Sequence, residues 1–124
     1  MSIQELPAKA CFDLREADPS IKLVDVRTPE EFARGRPAGS VNVPAFLAGP
    51  GGMRPNPAFP AEMARVAPDK AARLILSCQS GRRSHMAAEM LAQLGWRQPI
   101  NLLGGWGGNE EDPGWLAQGL PVER

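Results

Sequence analysis

Two hydrophobic periods alternate along the chain. Apolar residues at Leu6, Ala10 and Leu14 make a helical stripe, which predicts a helix over Leu6–Ala17, broken by Asp18-Pro19-Ser20. Ile21–Val26 is a short β-rich run. Thr28-Pro29-Glu30-Glu31 reads as an N-cap, a proline at the first helical position and a glutamate closing a capping box. That helix runs through Phe32 to Arg34, and Gly35 ends it. Ser40–Val43 is a brief strand stopped by Pro44, and Pro60–Val66 is a second short helix closed by Pro68. Arg73–Ser77 is a buried strand and Met86–Leu94 a helix ended by Gly95. Pro99–Leu103 is the last strand, punctuated by Gly104-Gly105. Helix and strand in turn argue an α/β fold with a largely parallel sheet. Binding groups in such sheets gather at the carboxyl ends of the strands. Asp25-Val26-Arg27, Cys78 and Gly104-Gly105 all fall at such ends.

The stretch 49–57, rich in Gly and Pro, has no period and reads as a surface loop within one domain spanning residues 1–124. Its functional reading is a wall over the site, with Phe46, Met53 or Phe59 as lining. The acidic run Glu110-Glu111-Asp112 reads as a solvated loop.

Composition narrows the partners. Fourteen basic and fourteen acidic residues give a net charge of zero, so nothing favours nucleic acid or an anionic membrane surface. No apolar run reaches membrane-spanning length, and Met1–Glu5 lacks a signal-peptide pattern, so the expected location is cytoplasmic. The two cysteines, Cys11 and Cys78, do not form a disulfide framework; Cys11 reads as core packing. With His85 the single histidine, no metal site is expected, and no cofactor is implied. His85 reads as a surface residue, and Trp106 and Trp115 as packing.

The chemistry concentrates in Cys78-Gln79-Ser80-Gly81-Arg82-Arg83-Ser84. A cysteine in a strand-to-helix turn meets backbone N–H groups that have no intrahelical acceptor. Those groups and the helix dipole favour a thiolate and can hold an anion. Arg82 and Arg83 add positive charge, and Gly81 allows the curvature that turns several N–H groups into one concavity.

These segments resemble single-domain rhodaneses, the thiosulfate sulfurtransferase-like family. Leu23–Phe32 looks like the family's first motif, Gly35–Pro44 its second and Cys78–Ser84 its active-site loop. Leu103–Trp106 and Gly119–Val122 look like its closing motifs. The resemblance implies a five-stranded, mainly parallel sheet with helices on both faces. It also implies that Cys78 carries sulfur as a persulfide, taking it from a small anionic donor such as thiosulfate and passing it to a thiophilic acceptor, with no cofactor. Gln79, Ser80, Gly81, Arg82 and Arg83 would then bind substrate. Arg82 would face it while Arg83 braces the loop from behind. Asp25, Arg27 and Ser84 would support the loop, with Asp25 and Arg27 as an ion pair anchoring the next helix near Glu31.

The chain departs from the family at Arg36-Pro37, where His-Ile is usual. Its 49–57 insertion is longer, and Gly107–Gly114 is longer and more acidic. Three alternatives stay open. A cysteine-based phosphatase or arsenate reductase would place an arginine six residues after the cysteine, where this chain has Ser84. A non-catalytic binding module would typically lack the cysteine. A dedicated relay protein would receive persulfide sulfur from a partner protein.

Overall fold

The computed structural model describes residues 3–124. The elements run β1 (Gln4–Leu6), α1 (Ala8–Ala17), β2 (Lys22–Asp25), α2 (Pro29–Arg34), β3 (Arg36–Pro37), β4 (Val41–Asn42) and β5 (Phe46–Gly49). They continue with β6 (Gly52–Pro55), α3 (Phe59–Val66), β7 (Arg73–Ser77), α4 (Arg82–Gln93), β8 (Gln98–Leu102), α5 (Gly114–Ala117) and β9 (Val122–Glu123). A five-stranded sheet has the order β1-β8-β7-β2-β4, with every pairing parallel. This is the α/β fold the sequence predicts.

Parallel strands are buried on both faces, and period two decides which side chain goes where. Leu74 and Leu76 of β7 join Val24, Phe59, Met63, Ala87, Leu91 and Trp96 in one apolar cluster, which α3 and α4 cover. Ile75 points the other way, toward Leu23, Ile100, Leu102, Ala8, Cys11 and Trp115 under α1 and α5. Both clusters end against the carboxyl edge of the sheet, so the loops there stand on a packed base.

Several boundaries differ from those read in the sequence. Leu6 belongs to β1, which pairs with β8 through Gln4↔Ile100, Glu5↔Asn101 and Leu6↔Leu102. The helix therefore starts two residues later, at Ala8. Its cap comes from far along the chain. Pro7 makes no side-chain cap, and Asp112 Oδ2 accepts the Ala8 N–H at 3.1 Å. The Thr28 capping box is present as read: the Glu31 N–H donates to Thr28 Oγ1 at 3.3 Å, and the Thr28 N–H donates to Glu31 Oε1 at 3.1 Å. Helix α4 begins at Arg82, four residues before the start read from its apolar stripe.

The 49–57 stretch is not an irregular loop. It holds most of a hairpin in which Phe46 pairs with Pro55 and Gly49 with Gly52. Phe59 lies in the core, Phe46 packs against it, and Met53 is exposed. None of the three borders either cleft beside the cysteine loop. No helix among the described residues is long and apolar enough to cross a membrane.

Candidate active site

Strand β7 ends at Ser77, and Cys78 begins the turn into α4. Gly81 is the N-cap of α4, with φ +91°, and a Cβ there would strike the Leu103 carbonyl oxygen. Only glycine meets both demands at that position.

The backbone of the turn is anchored at every carbonyl. Cys78 O accepts the Trp106 N–H at 2.8 Å, and Gln79 O accepts the Gly107 N–H at 2.9 Å. Asn109 Nδ2 donates to Ser80 O at 2.8 Å, and Asn101 Nδ2 donates to Gly81 O at 3.0 Å. Gly81 O also accepts the first α4 bond, from the His85 N–H. A peptide whose carbonyl is fixed outward presents the next N–H inward, so four tied carbonyls orient the loop amides as a set. The Gly81 N–H reaches Cys78 Sγ at 3.1 Å. The backbone of Gly105 lies so close to the Cys78 and Gln79 carbonyls that a Cβ would not fit.

Cys78 belongs to the apolar cluster that includes Val24, Val26 and Val43, and one polar side chain also comes close to its sulfur. The Ser84 hydroxyl donates its one proton to Asn101 Oδ1 at 2.5 Å, and its oxygen lies 3.3 Å from Cys78 Sγ. Asn101 holds its amide in place by donating also to Glu5 Oε1 at 2.8 Å. Cys78, Ser84 and Asn101 are all buried.

The two loop arginines part company. Arg83 forks onto Glu31, Nη1 to Oε1 at 2.8 Å and Nη2 to Oε2 at 2.9 Å. The Arg83 hydrogen bonds hold the Glu31 carboxyl down at about 2, and the same bonds raise Arg83 above its ordinary value. Arg83 is thus a brace between α4 and α2, as the sequence reading expects. Arg82 points elsewhere, into a cleft of about 330 Å³ that also includes Ser80, Gly81, His85, Glu5 and Glu111. Gln79 lines a different cleft, of about 230 Å³, with Arg27, Arg34, Trp106 and Arg124. The five residues expected to bind substrate therefore divide between two faces and a brace.

Asp25 and Arg27 form the expected ion pair, with Arg27 Nε at 3.0 Å from both carboxylate oxygens and Nη2 at 2.7 Å from Oδ2. Its anchoring point differs from the expected one. Arg27 Nη2 donates to Gly35 O at 2.7 Å, at the far end of α2, because Glu31 is already committed to Arg83. The Arg27 guanidinium also lies 5.3 Å over the Trp106 ring, next to the backbone N–H that fixes Cys78 O. The three strand ends thus converge as read.

Three supporting residues have no signal in the sequence. Asn101 sits within a β-run and Asn109 in a turn. Asp112, read as part of a solvated acidic run, is buried and accepts the N–H groups of Ala8 and Gly104, each at 3.1 Å. A buried carboxylate is tolerable when such donors satisfy it. His85 faces Glu5, Nδ1 to Oε1 at 2.9 Å, and stays a surface residue.

Known proteins are similar to this chain in sequence and fold. Thiosulfate sulfurtransferase 16, chloroplastic, of Arabidopsis thaliana is 35% identical over 102 residues, covering 82% of this chain and 79% of that protein. The Sulfurtransferase of Allochromatium vinosum is 30% identical over 82% of this chain and 78% of its own length. The crystal structure of Rv0390 from M. tuberculosis superposes with a TM-score of 0.79 at 29% identity, covering 99% of this chain and 98% of that one. Residues 9–111 match the family described as "Rhodanese-like domain". By motif order, sheet topology and this match over most of its length, the chain belongs to the rhodanese-like family.

Proposed function

We propose that the chain is a sulfurtransferase that carries sulfane sulfur as a persulfide on Cys78. The observation that carries this reading is the loop at the sulfur: the Gly81 N–H on Sγ, in a turn whose four carbonyls are tied outward. The Cys78 thiolate attacks the outer sulfur of a donor such as thiosulfate. A sulfur–sulfur bond forms to Cys78, the donor's sulfur–sulfur bond breaks, and sulfite leaves with that electron pair. A thiophilic acceptor such as cyanide then takes the terminal sulfur, restoring the thiolate and leaving as thiocyanate. The chemistry is two covalent half-reactions sharing one nucleophile. Amides aimed at the sulfur stabilise its charge without reorganising. The name of the Arabidopsis relative supports thiosulfate as a donor.

Phosphate chemistry fits the site less well. The residue six after Cys78 is Ser84, which is buried on the sulfur, and the Arg83 fork is occupied by Glu31. Arg83, the arginine nearest that spacing, is therefore not free to bind a tetrahedral oxyanion bidentately.

The deciding measurement is the intact mass of the protein after thiosulfate treatment and desalting. One added sulfur atom is expected on Cys78, removable by cyanide and lost in Cys78→Ser. Hydrolysis of an aryl phosphate that depends on Cys78, with no sulfur taken up from thiosulfate, would replace this reading with the phosphatase one.

A further inference from the structure

Two clefts lined by residues of the cysteine loop differ in charge. On the Arg82 side, Arg82 and His85 face Glu5 and Glu111, and His85 is bonded to Glu5. That cleft carries no excess of positive charge. On the Gln79 side, the cations are Arg27, Arg34 and Arg124, and the anion is Glu31. Two of these four charges are already spent, Arg27 on Asp25 and Glu31 on Arg83. Arg34 and Arg124 have no carboxylate within ion-pairing distance among the described residues. Arg124 lies along Gly35 beside the Trp106 ring, since a Cβ on Gly35 would stand 3.2 Å from that ring and 3.5 Å from Arg124 Nε. This second cleft is therefore walled by an aromatic ring and carries two uncompensated cations, next to the residue that follows the nucleophile.

We propose that this cleft gathers the anionic sulfur donor, with Arg34 and Arg124 as its binding cations, and that Arg82 does not serve this purpose. The chemical class is a small oxyanion bearing a sulfane sulfur, or another small anion approaching Cys78. The inference rests on the sulfur-carrier reading for its biological sense, while its geometry requires only that anions reach Cys78 from this side. A concave site lined by one sign of charge raises the local concentration of its counter-ion, and salt screens that effect.

The experiment compares iodoacetate, an anion, with iodoacetamide, its neutral counterpart, as alkylating agents for Cys78 in the sulfur-free protein. Persulfide formation from thiosulfate is followed by mass in parallel. The variants are Arg34→Gln with Arg124→Gln, then Arg82→Gln, and Arg65→Gln as a charge control on α3. In the double variant the iodoacetate-to-iodoacetamide rate ratio should fall roughly three- to tenfold, the range expected for removing two solvent-exposed charges near a reaction centre. Thiosulfate should need a correspondingly higher concentration for half-maximal loading, and the salt dependence of both rates should flatten. Arg82→Gln and Arg65→Gln should move the ratio less than twofold.

An unchanged ratio in the double variant overturns the proposal. So does an equal or larger fall in Arg82→Gln, or a Cys78 that neither anion reaches. Failure of thiosulfate to load Cys78 while the iodoacetate ratio falls as expected would remove the sulfur-donor reading and leave the anion site standing.

Discussion

Cys11 and Cys78 are buried equally, each about 1% exposed, and both belong to apolar clusters, but different groups reach their sulfurs. Cys11 sits under α1 among Leu23, Ile100, Leu102 and Trp115, and its thiol faces an acceptor, the Leu6 carbonyl oxygen at 3.6 Å. Burial, followed by the Asp112 carboxylate, pushes that thiol up to about 12. The Cys78 sulfur is reached instead by a backbone donor, the Gly81 N–H. Burial alone therefore does not decide what a cysteine does. What reaches the sulfur differs as well: a carbonyl oxygen at Cys11, and a backbone N–H in a strand-to-helix turn at Cys78.

The sharpest way to break this comparison is to exchange the nucleophile. Cys78→Ser should lower sulfur transfer on the order of a thousandfold or more, because a serine hydroxyl is a far weaker nucleophile and leaving group at neutral pH. Cys11→Ala should leave turnover within about twofold and cost about 1 kcal/mol of stability for the lost core volume. Thiocyanate production and urea titration separate the two effects. A large loss of turnover in Cys11→Ala would mean that the two sulfurs work together.

The next test removes the donor geometry while leaving the sulfur. Gly81→Ala forces a side chain onto left-handed backbone and into the Leu103 carbonyl oxygen. It should cost about 1–3 kcal/mol of stability and most of the sulfur loading. Asn101→Ala deprives Gly81 O and the Ser84 hydroxyl of one partner each. A cost of about 1–3 kcal/mol is expected, with slower loading, and Asn101→Asp should not restore either. Wild-type stability with full loading in either variant would show that the tied carbonyls do not matter.

The smallest effect concerns the brace. The Glu31 carboxyl is held at about 2, below its usual 4.5, by Arg83. A carboxyl lowered in the folded state adds stability that is present above its unfolded value and is lost as pH falls through the folded one. The stability difference between wild type and Glu31→Gln should therefore be full above about pH 4.5 and shrink as pH falls from there toward 2. Glu31 is partly exposed, so the difference stays modest. Thermal melts of both proteins across that window measure it. A difference that grows on acidification would be the wrong sign for this pair.

The elements that were legible in the sequence are those whose causes are local. The Thr28–Glu31 box, the Gly81 turn and the apolar run before Cys78 each declare themselves within a few residues. Strand β1 did not, because its partner β8 lies some ninety residues away and its three residues carry no alternation of their own. The hairpin was hidden by its Gly and Pro content, although glycines between two short runs are a hairpin signal. At the site, the strand-to-helix turn at Cys78 and the Asp25–Arg27 pair could be read, and the family resemblance implied Arg83 as a brace. The partners of those groups could not. Glu31 is 52 residues from Arg83, and Asn101 and Asn109 act on backbone carbonyls, which every residue has and which leave no mark in a sequence.

The attachment of the loop to the segment after β8 has a consequence for folding. Residues 78–81 take their shape from Asn101, Trp106, Gly107 and Asn109, chain that is synthesised later and packs on the other side of the strand. A fragment ending after α4 would contain the cysteine and both arginines and still lack the scaffold that orients the amides. The site is thus a property of the whole cooperative unit, and it should disappear with global unfolding rather than fray ahead of it. Cysteine reactivity at this position would then serve as a gauge of how much of a population is native.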